Sequence, residues 1–104
     1  MMNPISEFTV YDWMSSKGLG LQGNALMIYA IICAWTFDRE FICLSYKELS
    51  EAVNCSRNTA IQSIECLIKR NLIEKDTKMR DGVVYNFYRV NPTFVPEYFM
   101  TEEQ

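Results

Sequence analysis

A chain of 104 residues fits one domain and buries roughly two-thirds of its unfolded surface, enough for a core without metal or disulfide staples. Its 49% hydrophobic content suits a globular fold; no apolar run reaches the ~20 residues of a membrane span, and four dispersed cysteines without a histidine argue against a zinc site. The net charge of −3 is uneven, with −2 over residues 1–41, +2 over 42–90 (eight basic side chains against six acidic) and −3 over 91–104, so the positive excess falls on the middle of the chain.

Glu7 stands ahead of Phe8 and no basic lead precedes it, so no signal peptide is expected and the chain reads as cytoplasmic. Cys33, Cys43, Cys55 and Cys66 then read as buried or half-buried thiols of a reducing compartment, with Cys66 on an exposed helix face. Phe8-Thr-Val-Tyr11 has β character and suits a short strand or an extended arm. Asp12 can cap a short helix over 13–17 that Gly18 would end. Residues 18–23, with three glycines, form a joint. A helix from about Gln22 to Thr36 follows, apolar on nearly every face. Such a helix must be covered on all sides, either as the central helix of one chain or against a second copy.

Asp38-Arg-Glu reads as a turn and Phe41-Ile-Cys43 as a very short strand. Ser45 with Glu48 three residues on is a capping box, and Leu49, Ala52 and Val53 give the helix behind it an inner stripe. Asn54 accepts a left-handed backbone and can end that helix; Ser56 caps the next, from Arg57 to about Arg70. On this helix Ala60, Ile64 and Leu67 are the core stripe, with Ile61 and Ile68 on its shoulder. Asn58, Gln62, Cys66 and Lys69 lie on the opposite face, and Lys69 and Arg70 suit the negative end of the helix dipole. Asn71 ends the helix. Residues 72–78 and 83–90 are strands joined at Asp81-Gly82, which supplies the positive φ of a tight hairpin. Pro92 and Pro96 stop any continuation; residues 97–100 suit a short packing segment, and 101–104 a frayed end. The expected division is an N-terminal extension (1–20), a central domain (21–91) and a C-terminal tail (92–104).

Helix, tight turn, helix and hairpin follow one another from Ser45 to Val90. In Ser56-Arg-Asn-Thr-Ala, Leu67 and Asn71-Leu-Ile73 the chain resembles bacterial winged-helix regulators, with Asn71 where those usually have glycine. Asn86-Phe-Tyr-Arg-Val-Asn91 is similar to the closing strand of their wing. Tyr11-Asp-Trp13, the joint and the apolar helix resemble small helix-turn-helix proteins of phages, mobile elements and plasmid replication initiators. The resemblance spans about residues 20–92. It implies an α+β winged helix-turn-helix fold: a three-helix core, a C-terminal β-hairpin wing and a short N-terminal extension. It also implies double-stranded DNA as partner, read by the helix that starts at Ser56.

On that expectation the backbone N–H groups at the start of the recognition helix, with Ser56 and Thr59, hold a phosphate. Arg57, Asn58 and Gln62 reach base edges or phosphates, arginine favouring guanine and the amides adenine. Lys47 clamps the backbone from the preceding helix. Lys69 adds positive charge, and Lys75, Lys78 and Arg80 near the wing tip enter the minor groove or touch phosphate. Each has a plainer reading: Ser56 and Thr59 serve as caps, and wing-tip charges are solvated. Glu65 near the DNA face and Ile61 where a polar residue is common argue the other way. One protomer would bind modestly, so a homodimer built through helix 22–36 or the C-terminal tail is expected.

The frequent aromatic residues allow a platform for single-stranded DNA, with core and wing packing as the plainer account. Tyr85, Phe87 and Arg89 alternate on one face of the last strand and suit a sheet-side contact patch. Without histidine, a phosphate-binding glycine loop or paired carboxylates, no catalysis and no cofactor are expected. The expected function is sequence-specific duplex binding in transcriptional regulation or replication initiation on a bacterial or phage mobile element. The alternative is a winged helix that binds only protein, for example an assembly module or an inhibitor of a host factor. A basic stripe linking Lys47, Arg57, Lys69 and Lys78 would favour DNA, and an apolar patch on the recognition helix would favour protein.

Overall fold

The computed structural model describes residues 8–15, 18–36 and 40–96. Three helices and a three-stranded antiparallel sheet make an α+β fold: α1 (Gly23–Thr36), β1 (Ile42–Cys43), α2 (Tyr46–Ala52), α3 (Arg57–Lys69), β2 (Ile73–Arg80) and β3 (Val83–Val90), with strand order β1-β3-β2. This architecture is compatible with a winged-helix-like arrangement.

The boundaries follow local chemistry. Ser45 caps α2 through the expected box: its hydroxyl accepts from the Glu48 N–H at 3.0 Å, and the Glu48 carboxylate accepts from the Ser45 N–H at 2.9 Å. Asn54 closes the tight turn with φ 55°, and Asn71 ends α3 with φ 63°. Both take the left-handed backbone that asparagine tolerates better than other side-chain-bearing residues. The Ser56 hydroxyl caps α3 by accepting from the Thr59 N–H at 3.1 Å. Asp81 (φ 53°) and Gly82 (φ 77°) are both left-handed, as a two-residue hairpin turn requires.

The core is one cluster. Ala60, Ile64 and Leu67 of α3 are fully buried, with Leu49 of α2 and Ile73, Tyr88 and Val90 of the sheet, and Val53 just after α2 is buried beside them. Residues Ile28 to Cys33 and Thr36 of α1 are buried within this single chain. The helix that reads as apolar all round is therefore covered as a central helix by α3 and β3. Ala34 and Trp35 remain exposed on it.

The N-terminal segment departs from its expectation. Residues 8–11 form no strand, and a 3₁₀ turn over Asp12–Met14, preceded by Tyr11 rather than capped by Asp12, replaces the expected helix. Ser16 and Lys17 lie outside the described residues. The chain curls back because its carbonyls are taken locally: the Leu19 N–H donates to the Trp13 carbonyl at 2.8 Å and the Leu21 N–H to the Met14 carbonyl at 3.1 Å. A Cβ on Gly18 would overlap the Trp13 carbonyl, so this crossing needs glycine. Met14 and Leu21 sink into the core, and Trp13 meets Tyr29 edge to face at 6.1 Å. Residues 92–94 form a second 3₁₀ turn, capped by Asn91, and Val95 is buried in the same core. The expected turn at 38–40 and the packing segment at 97–100 fall largely or wholly outside the described residues.

One thiol differs from its expectation. All four are free; Cys33 is buried, Cys55 half-buried and Cys66 exposed, as expected, but Cys43 is exposed as well. Cys43 follows from sheet parity: Ile42 pairs with buried Tyr88, so its neighbour points to the other face.

Candidate nucleic-acid interface

The N-terminal end of α3 presents Ser56, Arg57, Asn58 and Gln62 to solvent, with Thr59 half-buried. Ser56 and Thr59 are tied to each other, hydroxyl to hydroxyl at 2.9 Å, so both serve the cap. Arg57 does not project freely. Its guanidinium lies 5.7 Å from the centroid of the Tyr46 ring, at the first position of α2. Lys75, from β2, lies 5.6 Å from the same centroid and donates to the Tyr46 hydroxyl at 3.1 Å. One aromatic ring thus gathers a cation from α3 and a cation from the sheet. Neither cation has a carboxylate within ion-pair distance among the described residues.

Tyr46 also stands in the wall of a cleft of about 560 Å³ between α2 and β3. Lys47 and Arg57 line it on the helix side, and Val84 and Asn86 on the strand side. Glu48 lines it too, but its carboxylate is engaged in the Ser45 cap. Beneath this site Tyr88 is buried; burial, then the neighbouring Tyr46 hydroxyl, push its ionisation well above the usual range. Tyr88 is therefore a neutral floor under the cations.

The remaining expected site residues lie elsewhere. In the hairpin register Ile73 faces Val90 and Lys75 faces Tyr88, so Lys75 shares the helix-facing side of the sheet with buried residues. Lys78 faces Tyr85 and Arg80 faces Val83, which places both on the outer side. Lys69 is the last residue of α3, twelve residues from Arg57, or about 18 Å along the helix axis. Exposed Glu65 lies between Gln62 and Lys69 on that face. Lys47, Arg57, Lys69 and Lys78 thus do not form one continuous stripe. What forms instead is a compact group around Tyr46, a residue that the sequence reading did not single out. The signal available there was a tyrosine placed between a capping serine and a lysine. Nothing in the linear order points to Arg57 and Lys75, 11 and 29 positions away.

Other charges are engaged structurally. The Arg70 guanidinium donates to the Leu19 carbonyl and ties the end of α3 to the N-terminal loop. Arg89 pairs with Glu74 at 2.6 Å across the outer face of the hairpin, both partly exposed, a geometry worth at most about 1 kcal/mol. Ile61 is half-buried and Ile68 is 36% exposed, so the shoulder of α3 offers no broad apolar patch. Exposed apolar side chains collect instead at the hairpin tip, where Met79 is 72%, Val84 54% and Val83 50% exposed.

Among the described residues no cluster of His, Cys, Asp or Glu could hold a metal ion, and no helix is long and apolar enough to cross a membrane. Comparison with protein-family models, with curated proteins and with solved structures finds no match, so the chain's own geometry carries the functional reading.

Proposed function

We propose that this protein is a winged helix-turn-helix module that binds double-stranded DNA and performs no catalysis, with α3 as recognition helix and the β2–β3 hairpin as wing. The observation that carries the reading is the gathering of Arg57 and Lys75 on Tyr46 beside Lys47, without a carboxylate partner among the described residues. Two cations held near one ring repel each other, and an anion between helix and wing relieves that repulsion. A phosphate of the DNA backbone fits the place, with Asn58 and Gln62 then next to base edges in the major groove. The duplex surface on this reading comprises Lys47, Ser56, Arg57, Asn58, Thr59, Gln62 and Lys75. Transcriptional regulation or replication initiation on a mobile element is the context the resemblance suggests. Two protomers on neighbouring half-sites would multiply a modest affinity, and the exposed Trp35 end of α1 is available for their contact.

The test is fluorescence anisotropy of labelled mixed-sequence duplex at low and moderate salt. Micromolar binding that weakens steeply with salt is expected, with a log–log slope of about −0.9 per phosphate neutralised. Arg57→Ala with Gln62→Ala should weaken it while leaving the melting temperature nearly unchanged, because both side chains are exposed. A folded protein that leaves duplex unbound at low salt overturns the reading. One observation favours a second reading, a module that binds only protein: the exposed Met79, Val83 and Val84 at the hairpin tip are apolar where a DNA-tracking wing gains from charge. Absence of duplex binding together with capture of a protein through those residues would establish it.

A further inference from the structure

The outer face of the sheet carries a second pattern that the duplex reading does not use. Phe41 and Cys43, then Arg89, Phe87, Tyr85 and Val83 of β3, alternate onto this face, opposite Glu74, Asp76, Lys78 and Arg80 of β2. Solvent-facing positions of a small sheet are ordinarily polar. Here they hold three aromatic rings, of which Phe41 is 39% and Tyr85 41% exposed. The rings alternate with cations that lean on them: the Arg89 guanidinium lies 4.6 Å from the Phe41 centroid and the Lys78 ammonium 5.3 Å from that of Phe87. Tyr85 has Lys78 directly across the ladder and Arg80 on the diagonal. Lys78, Met79, Arg80, Tyr85 and Phe87 together line a groove of about 370 Å³.

We propose that this outer face binds single-stranded nucleic acid, with an unpaired base stacked on Tyr85 and the flanking phosphates held by Lys78 and Arg80. A single strand offers planar apolar bases and a regular line of negative charge, and the face offers rings interleaved with cations. Successive same-face side chains of a strand stand about 6.6 Å apart, so Tyr85 and Phe87 can serve neighbouring unstacked bases. A duplex keeps its bases stacked inside and presents none to these rings. A second copy of the chain is a poorer occupant, because apposing two such faces would desolvate Lys78, Arg80 and Asp76 against their own copies. Lys78, Arg80 and Phe87 stand on the other side of the sheet from Lys75, while Tyr85 also borders the cleft that Arg57 lines; the proposal does not depend on the duplex reading.

The experiment is anisotropy of a labelled oligothymidylate, which forms no duplex of its own, against the full chain and four variants. Wild type is expected to bind at low salt. Tyr85→Ala should lose about tenfold, as removing one stacking ring does, and Tyr85→Phe, which keeps the ring, should retain wild-type affinity. Arg80→Ala should weaken binding and make it less salt-dependent. Arg57→Ala, which strikes the helix side, should cost clearly less than Tyr85→Ala. Melting temperatures of all four should match wild type, since each side chain is exposed. No binding at low salt, equal loss on Arg57→Ala, or indifference to Tyr85→Ala would each overturn the proposal. The same variants tested on duplex keep the readings apart: wild type that binds oligothymidylate but no duplex overturns the helix-side reading alone, and wild type that binds duplex but no oligothymidylate overturns this one alone.

Discussion

Thr36 shows how much one hydroxyl can hold in place. It is fully buried at the last position of α1, donates to the Ile32 carbonyl at 2.6 Å and accepts from the Val90 N–H at 2.8 Å. The second bond closes the end of α1 onto β3, whose N–H is otherwise left without a partner in the core. Thr36→Val keeps the shape and removes the acceptor, so a cost of about 1–3 kcal/mol is expected in chemical denaturation. Thr36→Ser, which keeps the oxygen, should recover much of it; a Thr36→Val as stable as wild type beside a destabilised Thr36→Ser would mean that the methyl packing matters and the bond does not. Sequence order gives no hint of this pairing, because a threonine at a helix end is unremarkable until the strand arrives 54 residues later. The capping residues are the opposite case. Ser45, Asn54, Ser56 and Asn71 act on neighbours within about four positions, so their roles were readable directly and the structure places each where expected.

Among the elements, the hairpin was legible in place and only partly in consequence. Asp81-Gly82 fixed the turn, and the turn fixed the register. The same register separates Lys75 from Lys78 and Arg80, since positions an odd number apart point to opposite faces. That parity was present in the sequence, and grouping the three as one wing-tip set overlooked it. The segment before α1 was misread for another reason. Helix capping rules took Asp12 and Gly18 as start and stop, whereas Gly18 is there because the chain crosses the Trp13 carbonyl. Gly18→Ala should therefore cost about 1–3 kcal/mol as overpacking against backbone. If Gly18 were only a helix stop, the change would be nearly neutral in a thermal melt.

For the molecule as a whole, burial sets the response to high pH. Cys33 is buried in α1, which pushes its thiol from the ordinary 9.0 up to about 12. Tyr29 is raised well above its usual value, by burial first and then by the nearby Cys33, and Tyr88 likewise by burial and Tyr46. In each case the folded state holds the proton more tightly than the unfolded chain. The stability from Cys33 is therefore fully present below pH 9 and is lost progressively as pH rises towards about 12. Chemical denaturation at pH 8, 9, 10 and 11 should show stability falling from above pH 9, with a shallower fall for Cys33→Ala. A wild-type curve flat to pH 11 would mean that Cys33 is reached by solvent.

The sequence by itself determined where the helices and the hairpin lie, how α2 and α3 are capped, which stripe of α3 is core, and that positive charge belongs to the middle of the chain. These are short-range matters of periodicity, caps and turn chemistry, and a few neighbouring residues decide each. Only the tertiary structure decided that α1 is covered within one chain, that Arg57 and Lys75 meet on Tyr46, and that Arg89 leans on the ring of Phe41. Those outcomes depend on which elements pack together, and packing joins residues that no local pattern relates.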